Sequence, residues 1–284
     1  MIEVLRAGPL TTVQDSGRPG WAHLGVPRSG ALDQPALVLA NRLVGNPDGA
    51  AGLESTLTGC AVRVRSARTV AVTGALAAVR VAGRAVEPAV PVPVSAGDVV
   101  EVGPARIGVR SYLAFGGGIM VESVLGSRST DILSGLGPRP LRDGDLLPLG
   151  RPGPAPSTLD AVPAALAAVE LRLRVRLGPR ADLFTAEALA RLLAEAYTVT
   201  PVSNRVGTRL AGPALTRADA AELPPEGIVL GAVQVPPNGQ PLVFLADHPT
   251  TGGYPVVAVV DAAGVAALAQ ARPGATVTFH GPQR

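Results

Sequence analysis

Short segments in which valine alternates with arginine or another polar residue dominate the first half of the chain. Because successive side chains of a β-strand point to opposite faces, this alternation predicts strands with one buried and one exposed face. Glycine and proline separate the segments and favour turns between them. The predicted strands are residues 60–65, 69–72, 78–81, 99–102 and 107–115.

One early segment has helical spacing instead, with apolar residues at positions 36, 37, 39, 40 and 43. Asp33 is a typical N-cap, Pro35 suits a first helical turn, and Gly45 is a typical residue just beyond a helix end. The sequence therefore predicts a short amphipathic helix over Asp33–Leu43.

The second half repeats the β-rich pattern. Predicted strands are Leu171–Leu177, Thr276–Phe279 and segments near 197–202, 206–211, 229–235 and 241–246, with helices at Ala181–Ala196 and Asp261–Ala271. Four prolines between residues 151 and 165 indicate a connection, which we place at residues 151–168. We therefore expect a mainly β protein with a few helices, built as two barrel domains in tandem at residues 1–150 and 169–284. Parallel α/β architecture is disfavoured because the helices are too few to connect parallel strands.

Composition excludes several kinds of chemistry. The chain has 25 arginines and no lysine, so it has no Walker A loop, no Schiff-base lysine, no Ser-Ser-Lys amidase triad and no biotin-carrying lysine. A net charge of +3 spread over both halves gives no reason to expect nucleic-acid binding. Three scattered histidines and one cysteine predict no metal site. Cys60 lies among apolar neighbours, so nucleophilic catalysis has no candidate.

The N-terminal segment, the apolar tracts and the single cysteine indicate where in the cell we expect the protein. Residues 1–17 lack the basic and apolar regions of a signal peptide, and the apolar tracts fall short of the roughly 18 residues that span a bilayer. We expect a cytoplasmic protein without membrane association, and a lone cysteine suits a reducing compartment.

The densest polar segment runs from Thr12 to Asp33 and is irregular because it holds several glycines and prolines. Such loops on a rigid barrel are frequent positions of functional sites. Its candidate residues are Gln14, Asp15, Arg18, Ser29 and Asp33. An alternative interpretation pairs Asp15 with Arg18 across a turn, and gives Asp33 only a capping role.

Three further segments carry polar groups suited to an anion or an amide. Glycines 116–118 are followed by Ser127, Arg128, Ser129 and Thr130, whose amides and hydroxyls suit a phosphate or carboxylate, or form tight barrel turns. Asn204, Arg205 and Arg209 flank Gly207, and a guanidinium fork suits a carboxylate. Residues Gln234, Asp247, His248 and Tyr254 predict a second wall of the same cleft.

Seven motifs together carry a family resemblance: TVQDSGRPGWAHLGVPRSGALD, ANRLVGN, LESTLTG, FGGGI, LGSRST, VSNRVGTRLAG and DHPTTGGYP. In this order they resemble the family of the 5-oxoprolinase C subunit, over Ile2 to about Phe279. The family is also labelled KipI antagonist, allophanate hydrolase subunit 2, or biotin-dependent carboxyltransferase subdomains A and B.

The resemblance implies two cyclophilin-like β-barrels and a function inside a complex. Implied partners are the KipI-like B subunit of 5-oxoprolinase and a LamB/YcsF-type A subunit, which together use ATP to open 5-oxoproline to glutamate. ATP is held by the complex, on a polypeptide that the sequence does not identify. By this interpretation Asp15, Arg18 and Arg205 are catalytic, with Asp15 assisting proton transfer and the arginines holding the carboxylate of a small amide substrate.

The remaining implied contacts are substrate-binding residues. They are Gln14, Ser29, Asp33, Asn204, Gln234 and Tyr254. Asn204 departs from the family pattern, which more usually reads Asp-Arg-Met-Gly at this point, and an amide cannot act as a carboxylate base. Two alternatives stay open: a regulator that sequesters a KipI-like inhibitor of a histidine kinase, and the carboxyltransferase component of a urea-carboxylase-like system.

The absence of lysine gives a direct prediction. Biotin is attached to carrier proteins through a lysine amine, so this chain should carry no covalent biotin. Streptavidin blotting of the chain purified from its native cells should be blank, with a biotin carrier protein from the same lysate as the positive control. A covalent signal on this chain would contradict the argument.

Overall fold

The computed structural model describes residues 1–153, 170–218 and 223–281. The chain divides into two compact units: Met1–Arg18 with Ser29–Ala167, and Pro19–Arg28 with Ala168–Arg284. Most of the connection predicted at residues 151–168 lies outside the described residues. The described part is mainly β with three α-helices, which confirms the predicted fold class.

The first unit is built on a nine-stranded sheet that curls into a half-barrel and whose strand pairs are all antiparallel. Its strands are β1 (Ile2–Arg6), β2 (Thr11–Gln14), β3 (Gly52–Thr56), β4 (Ala61–Val64), β5 (Arg68–Val81), β6 (Arg84–Val86), β7 (Val92–Val94), β8 (Val99–Phe115) and β9 (Leu146–Leu147). The main path runs β2-β3-β8-β4-β1-β9, and β5 joins β8, β6 and β7. The inward valines and leucines of these strands form one apolar core.

Two long strands replace four predicted short ones. Segments 69–72 and 78–81 belong to the single strand β5, and segments 99–102 and 107–115 belong to β8. The prediction of separate strands was wrong because a glycine inside a strand can mark a bulge rather than an end. Gly74 has φ +86°, and the register of β5 against β8 shifts directly after it, so the strand bends and continues.

Helix α1 (Gln34–Leu43) lies against β5 and β8. The Asp33 carboxylate accepts a hydrogen bond from the Ala36 N–H at 3.1 Å, and proline occupies the first turn. The apolar face buries Leu37, Ala40 and Leu43. The predicted helix is confirmed because its cap and its apolar spacing are both local in the sequence.

The second unit contains a closed seven-stranded barrel in the order β10-β17-β14-β15-β12-β11-β18. These strands are β10 (Glu170–Leu177), β11 (Ala196–Val199), β12 (Gly207–Ala211), β14 (Ala232–Gln234), β15 (Leu242–Phe244), β17 (Val256–Val260) and β18 (Thr276–His280). Strands β10 and β18 pair in parallel and close the barrel, whereas the other barrel pairs are antiparallel. A separate pair of short strands joins β13 (Glu226–Gly227) to β16 (Thr251–Gly252).

Two helices accompany the barrel. Helix α2 (Ala186–Ala194) begins later than the predicted Ala181, because Thr185 is extended and its hydroxyl caps the Ala188 N–H at 3.1 Å. Helix α3 (Ala262–Ala269) follows Asp261, which accepts from the Gly264 N–H at 2.8 Å. Within the described ranges, no helix is both long enough and apolar enough to cross a membrane.

Gly59, just before β4, provides a test of backbone packing. A Cβ at this position would overlap the Val102 carbonyl oxygen, and the φ of +70° is itself unfavourable for other residues. Gly83 has a similar φ of +75° but open space around it. Gly59→Ala should therefore lower the free energy of unfolding by about 3 kcal/mol, and Gly83→Ala by only about 1 kcal/mol. Denaturant titration of both variants would measure the difference, and equal losses would contradict it.

Candidate functional site

The Asp15 carboxylate, 6% exposed, lies just after β2 and is bonded within the first unit. Its Oδ1 accepts hydrogen bonds from the Gly17 N–H at 2.8 Å, the Ser127 hydroxyl at 2.6 Å and the Ser129 hydroxyl at 2.5 Å. Its Oδ2 accepts from the Arg128 N–H at 2.6 Å. Four donors satisfy a buried carboxylate well. The segment whose composition suits an external anion thus binds the carboxylate of Asp15.

Three more predicted residues donate hydrogen bonds to carbonyls of residues 124–130. The Arg18 guanidinium donates to the carbonyls of Ser129 at 2.5 Å and Val124 at 3.3 Å. The Gln14 amide and the Ser29 hydroxyl both donate to the Thr130 carbonyl at 2.9 Å. We call Gln14, Asp15, Arg18, Ser29 and residues 127–130 the Asp15 cluster. Gln14, Asp15, Arg18 and Ser29 are all buried.

Asp33 lies apart from this network, at the beginning of α1. Its carboxylate caps the helix, and its N–H donates to the Tyr112 hydroxyl at 2.8 Å. That hydroxyl donates in turn to Glu54 at 2.9 Å. Burial, and after it the charge of Glu54, raises the pKa of Tyr112 well above its ordinary value, so the hydroxyl stays protonated and can donate. These contacts match the capping interpretation of Asp33.

Arg205 forms a two-pronged ion pair with Asp247 in the second unit. Its Nε donates to Oδ2 at 2.8 Å and its Nη2 donates to Oδ1 at 2.9 Å. The side chains are 1% and 0% exposed, respectively. The planar fork matches a carboxylate, as predicted for an anion, but the carboxylate belongs to the chain.

Asn204, beside that pair, is exposed and organises the turn. Its side-chain oxygen accepts hydrogen bonds from the N–H groups of Val206 at 2.8 Å and Gly207 at 3.3 Å. An amide oxygen serves this purpose as an aspartate would. The local geometry therefore tolerates the departure from the family pattern.

Tyr254 lines a cavity of about 840 Å³ in the second unit, which we call the Tyr254 cavity. The side chain of Tyr254 is 46% exposed, and its carbonyl accepts a hydrogen bond from Gln234 at 2.8 Å. Gln234 thus fixes the backbone that presents Tyr254. The lining residues are Ala214, Leu215, Thr216, Arg217, Leu223, Pro237, Asn238, Gly239, Gly253 and Tyr254.

The predicted residues therefore fall into separate groups. Gln14, Asp15, Arg18 and Ser29 meet in the first unit, whereas Gln234 and Tyr254 meet in the second. Sequence reasoning missed three lining residues that belong to no recognised motif: Thr216, Arg217 and Asn238. Pro-Asn-Gly at 237–239 signals a turn but not a cavity.

Cys60 and the side chains able to bind metal are also relevant to chemistry. Cys60 is buried, and burial raises the pKa of its thiol to about 11, so the thiolate is scarce at neutral pH. Across residues 1–153, 170–218 and 223–281, no three His, Cys, Asp or Glu side chains are grouped to hold a metal ion.

The chain thus combines a curled antiparallel sheet with a closed barrel, and each contains buried polar contacts. Residues 24–281 match the model of the family described as carboxyltransferase domain, subdomain A and B, and the chain belongs to this family. The resemblance seen in the motifs is thereby confirmed.

Individual relatives are similar over nearly the whole chain. The chain is 40% identical to the C subunit of 5-oxoprolinase from Escherichia coli K12, covering 98% of this chain and 90% of the relative. It is 36% identical to urea amidolyase of Lachancea kluyveri, covering 98% of this chain but 17% of that protein. The crystal structure of TTHA0988 matches with a TM-score of 0.88 and 38% identity, and this chain spans 55% of it.

The buried ion pair gives a prediction about stability. Arg205→Met should lower the free energy of unfolding by about 3–5 kcal/mol, because Asp247 then stays buried without its cation. The double variant Arg205→Met with Asp247→Leu should recover most of that loss, because no buried charge remains at the pair. Thermal and denaturant unfolding would measure both variants.

Arg209→Met is the matched control, because Arg209 is an exposed arginine four positions after Arg205 in the same segment. This control should change the free energy of unfolding by less than about 0.5 kcal/mol. An Arg205→Met variant as stable as the wild type would contradict a stabilising ion pair.

Proposed function

We propose that this chain is one component of a hetero-oligomeric, ATP-dependent amide hydrolase that opens 5-oxoproline to glutamate. The observation that supports this most is the 40% identity to the C subunit of a 5-oxoprolinase over nearly the whole of both chains. The proposed partners are a KipI-like B subunit and a LamB/YcsF-type A subunit.

The substrate class sets what the complex must do. 5-Oxoproline carries a carboxylate and a ring amide, so its recognition needs a cation and hydrogen-bond donors, and its opening needs water and proton transfer. This chain supplies arginines and backbone donors but no lysine. ATP is proposed to bind to the complex, and the amine of a P-loop would have to come from another polypeptide.

The family resemblance implies catalytic roles for Asp15, Arg18 and Arg205. We include these roles in the proposal. All three side chains are buried and bonded within the chain. A substrate that contacts any of them must therefore reach a side chain that is buried and already hydrogen-bonded. The same holds for the proposed contacts of Gln14 and Ser29, whereas Tyr254 is already exposed.

A second candidate function is the carboxyltransferase component of a urea-carboxylase-like system. The family match and the 36% identity to a urea amidolyase favour it. In that case biotin would reach the complex on another chain, because this one has no lysine to carry it.

Reconstitution tests the proposal. Co-expression with the KipI-like and LamB/YcsF-type proteins should give a stable complex on size exclusion, as expected for interfaces above about 1,000 Å². The complex should form glutamate from 5-oxoproline in the presence of ATP, and omission of this chain should lower the rate by about 10²-fold or more.

Controls separate the alternatives. The same complex is assayed for urea-dependent ATP hydrolysis in the presence of a biotinylated carrier. Activity with urea but not with 5-oxoproline would favour the second candidate function. Separate monomer peaks at micromolar concentration, together with no turnover of either substrate, would contradict both.

A further inference from the structure

A group of buried oxygen atoms in the first unit has no hydrogen-bond partner among the described residues: Gln14 Oε1, Thr130 Oγ1 and Asp131 Oδ2. The side chains that carry them are at most 1% exposed. A buried polar atom without a partner costs free energy, most of all on a carboxylate, so such atoms are rare in folded proteins. Their occurrence together indicates a ligand.

Hydrogen bonds hold the residues that carry these oxygens in one place. The Gln14 Nε2 donates to the Thr130 carbonyl at 2.9 Å. Asp131 follows Thr130 directly, and its other oxygen, Oδ1, accepts from the N–H groups of Leu133 at 2.8 Å and Ser134 at 3.2 Å. Gln14 and the two later residues thus belong to one fixed polar region of the first unit.

The same contacts decide what these oxygens can bind. The Gln14 Nε2 also donates to the Thr12 hydroxyl at 3.1 Å, so Oε1 is the acceptor end of that amide. Amide and ionised carboxylate oxygens only accept, and the Thr130 hydroxyl can offer its lone pairs as well. Oxygen atoms without nitrogen or sulfur are typical ligands of hard cations. The group therefore favours a cation over an anion.

The buried charges of the first unit do not balance. Its described residues bury three acidic side chains, Asp15, Glu54 and Asp131, and two basic ones, Arg18 and Arg110. Arg110 pairs with Glu54 at 3.6 Å, which leaves the single charge of Arg18 for the carboxylates of Asp15 and Asp131. One buried negative charge is left over, and a buried charge is costly unless an opposite charge compensates it.

The chain outside the described residues does not supply this charge. Residues 154–169 and 219–222 contain no arginine, lysine or histidine. Arg284 is the one basic residue outside the described ranges, and it ends the chain in the second unit. A bound cation would provide the missing charge, whereas a water molecule would not.

We infer that Gln14, Thr130 and Asp131 bind a monovalent alkali-metal cation, K⁺ or Na⁺, in the first unit. A single positive charge matches the one uncompensated carboxylate, whereas Ca²⁺ sites typically combine several carboxylates. Sequence patterns of histidine, cysteine or grouped acids do not reveal such a site, because it contains one acidic residue. The inference does not depend on the proposed function.

Diffraction gives the most direct test. Crystals of the full chain are soaked in rubidium chloride, because Rb⁺ replaces K⁺ or Na⁺ and scatters anomalously. An anomalous peak is expected within bonding distance of the Asp131 carboxylate, and it should be missing from crystals of Asp131→Asn. Density of a water molecule at this place, without an anomalous signal, would overturn the inference.

Thermal unfolding gives a test in solution. A ligand that binds the folded state alone raises stability by mass action. The melting temperature of the full chain should be at least about 3 °C higher in KCl or NaCl than in choline chloride of the same ionic strength. The salt that gives the larger rise identifies the preferred ion. Equal melting temperatures in all three salts would contradict the inference.

Two variants locate the effect. Asp131→Asn keeps an oxygen for the N–H groups of Leu133 and Ser134 but removes the charge, so the difference between salts should vanish. In choline chloride this variant should be at least as stable as the wild type, because no uncompensated buried charge remains. Thr130→Val removes one ligand at constant size and should raise the salt concentration at half of the effect at least about 10-fold.

Glu122→Gln is the matched control, because Glu122 is an exposed acidic residue nine positions before Asp131. This control should keep the full difference between salts. A difference that persists in Asp131→Asn, or that disappears in Glu122→Gln, would overturn the assignment. Should Asp131→Asn not fold, the rubidium peak in wild-type crystals and the weaker salt effect in Thr130→Val still decide the question.

Discussion

The buried carboxylate of Asp15 is the constraint on which the polar part of the first unit depends. A carboxylate without solvent needs hydrogen-bond donors, and Asp15 takes them from Gly17 and from residues 127–129, more than 100 positions along the chain. Once that segment is fixed, its carbonyls are placed to accept from Arg18, Gln14 and Ser29. One buried acidic group thereby organises two distant loops.

The same physical rule accounts for the second unit. Arg205 is at least as deeply buried as Asp15, and Asp247 supplies the opposite charge that a buried guanidinium needs. Two segments whose composition suited an external anion are thus occupied by carboxylates of the chain.

Elements whose signals lie within one short segment could be predicted from the sequence. Contacts between residues far apart in the sequence could not. Helix α1 could be predicted because Asp33, Pro35 and the apolar spacing all lie within one short segment. The beginning of α2 was misplaced because residues 181–183 form a separate 3-10 turn and Thr185 then caps the α-helix. The pairing of Arg205 with Asp247 joins residues 42 positions apart, and only the folded barrel brings them together.

The lack of lysine excludes from this chain the chemistry that needs a lysine amine. Carrying biotin and closing a P-loop on phosphate are two examples. Arginine, in contrast, can hold a carboxylate in a fixed orientation, because its planar guanidinium stays charged and offers two parallel donors. In the second unit this group holds a carboxylate of the chain itself, because the Arg205 guanidinium donates to both oxygens of Asp247.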